Sequence, residues 1–475
     1  MSLTLEHTYY DQLDGAYVNY ALPGSPNPKL VAFNAPLAEE LGLSRAQDEI
    51  TAIVSGNRLP ADAHVLAMAY AGHQFGHLSP LLGDGRAALV GELIDVHGQR
   101  RDLHLKGSGR TPFSRGGDGR ATLGPILREY LVAEGMHHLG VPTSRVLAAM
   151  TTGDLVQREK RLPGAVLGRV ASSHLRVGTF ELFALRRDAA MLEKLIDYAL
   201  DRHYPERRSG DGAPALALLE GVADAQANLI AKWMQVGFVH GVMNTDNVTI
   251  SGETIDYGPC AFIDTYEPAA VFSSIDHGAR YAFQNQPIIG AWNLARFAET
   301  LLNHIDPDPE TSIRLATDRI EAFQDSVASR LRRAMRRKIG LPETEEESLV
   351  SDLLDTMEQA KLDYTSTFRR LSSVLRGDAP PASLASWVEG WRGALAERGL
   401  AEADVAAKMD AENPVYIPRN HLVEDALAAA HEDDLGPFEA LLEAITRPFE
   451  ARDLDPRYAA PAPETFGPYR TFCGT

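Results

Sequence analysis

Hydrophobic and polar positions divide this chain into a strand-rich front and a helix-rich rear. After a Pro-rich loop at 22–28, a short helix is expected from about Ala35 to Leu41, stopped by Gly42. Ala87 to Ile94 reads as a strand. His97-Gly98 turns the chain into a second strand, Asp102 to Lys106, where Leu103 and Leu105 alternate with polar neighbours. From about Ala121 to Leu139 the period becomes helical, with Ile126, Leu127, Tyr130 and Leu131 on one face. VPTSRVLAAMTTGDLVQREKRLPGAVLGRVASSHLRVGTF predicts strands and turns. The apolar run LIAKWMQVGF (Leu229 to Phe238) predicts a helix ending at His240-Gly241. Two β-branched runs, Val248 to Ile250 and Thr254 to Ile255, flank Ser251-Gly252 and predict a tight hairpin. Beyond Tyr281 the pattern is helical to about Ala451, with the basic run Arg330 to Lys338 expected on a solvated helix face. The ending PAPETFGPYRTFCGT predicts a poorly ordered tail unless it docks.

The chain has 475 residues, enough for two large lobes and an appendage, and 44% of them are hydrophobic, enough for a sizeable core. Its 46 basic and 65 acidic residues leave a net charge of −19, which argues against a general nucleic-acid or anionic-membrane surface. Two cysteines exclude a disulfide scaffold and fit a reducing compartment. The first fifteen residues hold three acids, and no Lys or Arg precedes Lys29, unlike a secretory or mitochondrial leader. No uninterrupted apolar stretch approaches the roughly 18 residues of a membrane span. The expectation is a cytoplasmic protein.

The candidate chemistry is concentrated in GFVHGVMNTDNVTISGETIDYGPCAFIDTYEP, from Gly237 to Pro268. Helix, His-Gly loop, Asn, hairpin and Asp-x-Gly is the order of a protein-kinase catalytic loop and metal-binding segment, and Asn247 and Asp256 stand where Mg²⁺ would be held. The usual catalytic Asp position, two residues after the His, is Val242, which cannot accept a proton. The nearest carboxylate is Asp246. Upstream, Lys106 ends a strand and Glu129 follows 23 residues later on the predicted helix, the arrangement of the kinase ion pair that aligns phosphates. Leu82-Gly83-Asp84-Gly85-Arg86 is a Gly-rich turn entering a strand. Arg115-Gly116-Gly117-Asp118-Gly119-Arg120 is a loop with backbone donors and two guanidinium groups, the kind that cradles phosphate. Arg169 and Arg176 flank a Ser-Ser-His segment; a guanidinium can hold phosphate through two bonds, but alone the two read as surface arginines. His73 and His77 have the spacing of metal ligands on a helix, but no Glu stands between them and glycines precede both, so they read as structural histidines.

Together, GHQFGHLSPLLGDGRAALVGE, LHLKGSGRTPFSRGGDGRA, REYL, GRVASSHLRVGTF, HGVMNTDNVTISGETIDYGPCAFID and a Cys near the C-terminus resemble the selenoprotein O family over most of the chain. The resemblance implies a two-lobed protein-kinase-like α+β fold with extra C-terminal helices. Its implied divisions are an N-terminal extension (1–60), an N-lobe with nucleotide-phosphate loops (61–180), a C-lobe with catalytic and metal-binding loops (181–300), a C-terminal helical region (301–465) and a tail carrying Cys473 (466–475). It also implies a protein adenylyltransferase in which ATP is bound flipped, so that the α-phosphate meets the acceptor. Lys106, Arg169 and Arg176 would hold phosphates, with Gly83, Gly85, Arg86, Asp118 and Gly119 completing the nucleotide pocket. Asn247 and Asp256 would bind Mg²⁺ or Mn²⁺, and Asp246 would take the acceptor proton. The partners implied are proteins offering Ser, Thr or Tyr hydroxyls. Alternatives are UMP transfer, a protein or small-molecule phosphotransferase using Asp246, a catalytically inactive nucleotide-binding pseudokinase and, more remotely, a zinc hydrolase on His73 and His77. A reversible Cys260–Cys473 disulfide tying the tail over the nucleotide site is a further expectation.

Overall fold

The computed structural model describes residues 3–208, 212–342 and 348–472. The front of the chain contributes α1 (Thr8–Gln12), β1 (Tyr17–Asn19), β2 (Lys29–Phe33), α2 (Ala35–Glu40), α3 (Gln47–Val54) and β3 (Leu66–Met68). A small hairpin follows, β4 (Gly72–Gln74) and β5 (His77–Ser79), then β6 (Ala87–Ile94), β7 (Arg100–Lys106) and β8 (Ala121–Thr122). Helix α4 (Leu123–His138) leads to the long strands β9 (Arg145–Gln157) and β10 (Arg161–Ala171). Next come α5 (Val177–Leu185), α6 (Ala189–His203) and α7 (Pro214–Val236), then the short strands β11 (Phe238–Val239) and β12 (Ala261–Phe262). The rest is helical: α8 (Gln286–Ile305), α9 (Pro309–Lys338), α10 (Ser348–Gln359), α11 (Tyr364–Leu375), α12 (Ala385–Glu397), α13 (Glu402–Glu412), α14 (Asn420–His431) and α15 (Gly436–Ile445). No helix among the described residues is long and apolar enough to cross a membrane.

The result is a mixed α/β protein built on an eight-stranded antiparallel sheet, ordered β1-β3-β6-β7-β10-β9-β2 with β8 beside β10. Strand alternation gives the sheet two unlike faces. Leu103 and Leu105 on β7 join Val166 and Val170 on β10 in an apolar layer under α2 and α3. On the opposite face of β7, Asp102, His104 and Lys106 are 2%, 1% and 9% exposed, so the polar half of the alternation is also buried. That inner face belongs with α4 and the main core, which continues through α7 and α8 into the C-terminal helices.

Four expectations change. Val248–Ile250 and Thr254–Ile255 do not pair as a hairpin. Thr249 bridges Arg176 and Thr254 bridges Thr143, so neighbouring segments claim each run, while Thr249 Oγ1 closes the turn by bonding Glu253. His73 and His77 are on no helix. They stand on β4 and β5, joined by Phe75 and Gly76 at φ of 51° and 84°, the left-handed pair of a tight hairpin turn. The basic run at 330–338 is only partly solvated: Lys338 is 2% exposed, with its ammonium 4.4 Å from the Phe368 ring centre. The tail docks through Thr471, whose backbone bonds Phe272 and Ser274 and whose hydroxyl donates to Pro259 O at 2.8 Å. Cys473 lies outside the described residues.

Candidate active site

A polar cleft of about 120 Å³ opens between the inner face of the sheet and the loop after β11. Tyr70, Asp84, Gly85, Arg86, His104, Lys106, Arg169, Arg176, Asp246, Asn247 and Asp256 line it. Its two walls handle charge differently.

The sheet wall is a compensated network. Lys106, at the end of β7, donates to Glu129 Oε2 on α4 at 2.6 Å and to Asp256 Oδ1 at 2.7 Å. The other oxygen of Glu129 accepts from Arg169 Nε at 2.7 Å. Burial opposes ionisation of Glu129, but Arg169 and Lys106 outweigh it and hold the carboxyl below its ordinary range. Asp256 is held far below its usual range, by Lys106 foremost and, against burial, by Arg86 and Arg169. Its backbone takes the left-handed conformation, φ 66°, rare outside glycine and found where surroundings enforce it. Deeper in the cleft, Asp84 accepts from Met68 N and from His104 Nε2 at 3.0 Å, with Arg176 Nη2 3.8 Å away. The Arg176 guanidinium lies 4.2 Å over the Tyr70 ring and donates to Asp246 O at 3.1 Å. Although burial opposes it, the hydrogen bond from His104, with the Arg176 charge and Met68 N, keeps Asp84 strongly acidic.

The loop wall is desolvated. Asp246 sits in a single 3₁₀ turn, Thr245–Asn247, welded to the β4–β5 hairpin. His73 N donates to Thr245 Oγ1 at 2.7 Å and Phe75 N to Asn244 Oδ1 at 3.1 Å. Tyr281 O–H also donates to Asn244 Oδ1, at 2.7 Å. A β-carbon on Gly72 would lie 2.5 Å from Asp246 Oδ1, and one on Gly178 would lie 2.2 Å from Ala71 O. Only glycine at both positions lets backbone wall in the aspartate this closely. Gln74 Nε2 reaches Asp246 Oδ2 at 3.4 Å, and the buried Oδ1 has no hydrogen-bond partner among the described residues. Burial, opposed by Arg176, pushes the Asp246 carboxyl up to about 6.

The loop's remaining bonds set its form. Val242 N donates to His240 Nδ1 at 3.3 Å, so His240 Nε2 carries the proton and donates to Ile255 O at 3.0 Å, next to Asp256. Asn247 Nδ2 donates to Val242 O at 3.1 Å, leaving its amide oxygen for the cleft. Asn247 and Asp256 thus supply oxygen donors, the type a hard divalent cation takes, in too small a number to complete its shell. No group of three His, Cys, Asp or Glu converges on a metal position among the described residues. These residues fit a cation that also depends on substrate oxygens and water. His73 belongs to no group of three possible metal ligands among the described residues, and its Nδ1 is tied to Glu181 Oε1 at 2.5 Å.

Of the residues singled out in the sequence, Gly85, Arg86, Lys106, Arg169, Arg176, Asp246, Asn247 and Asp256 meet at the cleft, and Glu129 stands directly behind it. Gly83 is one step back, packed against Phe113 just ahead of the second Gly-rich loop. Asp118 and Gly119 do not line the cleft: the Asp118 carboxylate is held by Arg158 at 2.8 Å, and Gly119 packs on Gly109. Arg169, an expected phosphate ligand, is bonded to Glu129 here. Cys260 is a buried free thiol that donates to Tyr257 O, and burial raises it to about 11. Gly72, Gln74, Tyr70, Asp84, His104 and Asn244 escaped the sequence reading. The polar position between Leu103 and Leu105, and the unbroken run Asn244-Thr245-Asp246-Asn247, were the available signals.

Comparison with known proteins gives the family. The family model described as "Protein adenylyltransferase SelO" matches residues 1–446. A "Protein nucleotidyltransferase YdiU" of Cereibacter sphaeroides is 53% identical over 488 residues, covering 100% of both chains. Proteins of the same name from Mycolicibacterium smegmatis and Rhodococcus jostii are 52% and 51% identical, covering 100% and 99% of this chain and 99% and 94% of their own. The chain belongs to the SelO family and is a nucleotidyltransferase.

Proposed function

We propose that this protein transfers AMP from ATP to Ser, Thr or Tyr hydroxyls of other proteins and releases pyrophosphate. The observation that carries the reading is the pairing, in one cleft, of a strongly acidic Asp256 beside cations with an Asp246 raised to about 6 whose Oδ1 is unbonded. A group that must accept a proton near neutral pH works best with such a poised carboxyl. The acceptor oxygen attacks the α-phosphorus in line, its proton passes to Asp246 Oδ1, and the bond from that phosphorus to the bridging oxygen breaks. Negative charge then gathers on the departing pyrophosphate, where Lys106, Arg86, Arg169 and Arg176 supply positive charge. For Arg169 this requires sharing with or leaving Glu129. A Mg²⁺ or Mn²⁺ held by Asn247 and Asp256 would neutralise phosphate charge and fix the polyphosphate's orientation.

The same contacts support a two-lobed kinase-like reading, with the sheet and its Lys106–Glu129 pair on one side and the Asp246–Asp256 segment on the other. Val242, buried and apolar, leaves Asp246 as the carboxylate for the acceptor. The names of the relatives support protein acceptors, and the family description supports adenylyl as the group transferred. Incubation with ATP labelled at the α- or the γ-phosphate tests this. Protein-bound α-label is expected. Protein-bound γ-label alone would replace this reading with a phosphotransferase, and α-label from UTP in preference to ATP would change the donor to UMP.

A further inference from the structure

Helix α4 presents two neighbouring residues of opposite charge to opposite tasks. Glu129 gathers the cations of the sheet wall, as described above. Arg128, whose side chain is 9% exposed, points to the backbone that follows Asp256. Its Nε donates to Tyr257 O at 3.3 Å and Gly258 O at 3.2 Å, and its Nη2 donates to Cys260 O at 2.5 Å. Its Nη1 donates to Glu424 Oε1 of α14 at 3.2 Å and to the Tyr469 hydroxyl at 3.0 Å. Tyr469 in turn donates to Glu424 at 2.6 Å. One planar guanidinium thus joins three carbonyls behind the acidic ligand, a C-terminal helix and the docked tail, a task the point charge of lysine cannot perform.

Asp256 needs such a brace. Its left-handed φ of 66° is a conformation that a non-glycine residue keeps only when its surroundings over-determine it. The residues before it are held by His240 on Ile255 O, and those after it by Arg128. The tail reinforces the same stretch, since the Thr471 hydroxyl bonds Pro259 O between two of the carbonyls that Arg128 holds.

We propose that Arg128 is a positioning residue for nucleotidyl transfer: with the tail segment from Tyr469 to Thr471, it holds Asp256 in its metal-binding conformation. The inference rests on the reading of Asp256 as a metal ligand. It adds that the C-terminal segment is a working part of the metal site and that one turn of α4 sets both the cations and the acid.

The test uses the full chain and two readouts that do not require turnover, Mn²⁺ binding followed by electron paramagnetic resonance and amide hydrogen exchange in metal-free protein. Arg128→Met should weaken Mn²⁺ binding about 10–100-fold, the usual effect of losing a partner behind a metal ligand. It should also speed exchange at 257, 258 and 260 and at 469–472 while α7 and β9 stay protected. Arg128→Lys should fall between this variant and wild type. Tyr469→Phe, which keeps the packing and removes the hydroxyl's bonds to Arg128 and Glu424, should weaken Mn²⁺ a few-fold and speed exchange at 469–472. It decides the matter should Arg128→Met fail to fold. Mn²⁺ affinity within two-fold of wild type in the folded variants, with unchanged exchange at 257, 258 and 260, would overturn the inference. If Asp256→Asn binds Mn²⁺ as wild type does, it is the metal-ligand reading that fails.

Discussion

The loop after β11 carries two aspartates ten positions apart, tuned in opposite directions: Asp256 by the sheet wall it pairs with, Asp246 by its own enclosure. On the sheet wall, every charge has a partner: Lys106 with Glu129 and Asp256, Arg169 with Glu129, His104 with Asp84. On the loop wall, Asp246 is enclosed by the backbone of Gly72 and Gly178, and its nearest cation, Arg176, bonds its backbone carbonyl rather than its carboxylate. Charge compensation by the first wall keeps Asp256 ionised among cations. Desolvation makes the second a carboxyl ready to take a proton. The same residue type serves both purposes because the environment, not the side chain, sets the proton affinity.

This contrast predicts opposite responses to losing a carboxylate. Glu129→Ala leaves Lys106 and Arg169 without their shared buried partner, and breaking a buried pair in this way costs about 3–5 kcal/mol. Urea unfolding should show the loss as a lower midpoint at unchanged slope. A loss below about 1 kcal/mol would mean the network relaxes around the gap. Gly72→Ala comes next. Its methyl would push into Asp246 Oδ1, and a displacement near 1 Å costs on the order of 10²-fold in rate. Nucleotide affinity should stay near wild type while overpacking costs about 1–3 kcal/mol of stability, and an unchanged kcat would separate Asp246 from the chemistry.

The smallest effect has the opposite sign. The folded carboxyl of Asp246 is raised to about 6, above its unfolded value, so the native state binds more protons between about pH 4 and 6 and loses stability as pH rises through that window. Asp246→Asn removes the loss. In metal-free protein at pH 7 it should therefore be more stable than wild type, by on the order of 1–3 kcal/mol, with the gain fading below about pH 4. An inactive variant that is also less stable at pH 7 would contradict the desolvated wall.

Much of the sheet wall was legible in the sequence because it is local. Alternation around Leu103 and Leu105 sets the orientation of Lys106, and the helical period from 121 to 139 carries Glu129. The loop wall was less legible, since it depends on a hairpin far away in the chain. GHQFGH reads equally well as a helix segment with two histidines until the left-handed Phe75–Gly76 pair turns it and His73 N finds Thr245. The runs at 248–255 have strand composition, yet Arg176 and Thr143 take their backbones. Arg128 was invisible for a related reason. Beside Glu129 it looks like any helix arginine, and its partners lie on the segment after Asp256, on α14 and in the tail.

The division of labour between the two aspartates is tested most directly by measuring Mn²⁺-dependent nucleotide binding and turnover together in Asp246→Asn and Asp256→Asn. Asp256→Asn should lose both, because it removes the charged oxygen donor. Asp246→Asn should bind metal and nucleotide within a few-fold of wild type while turnover falls about 10²–10⁴-fold, the loss expected for a general base. Equal loss of metal binding in the two variants would make Asp246 a second metal ligand and contradict the account.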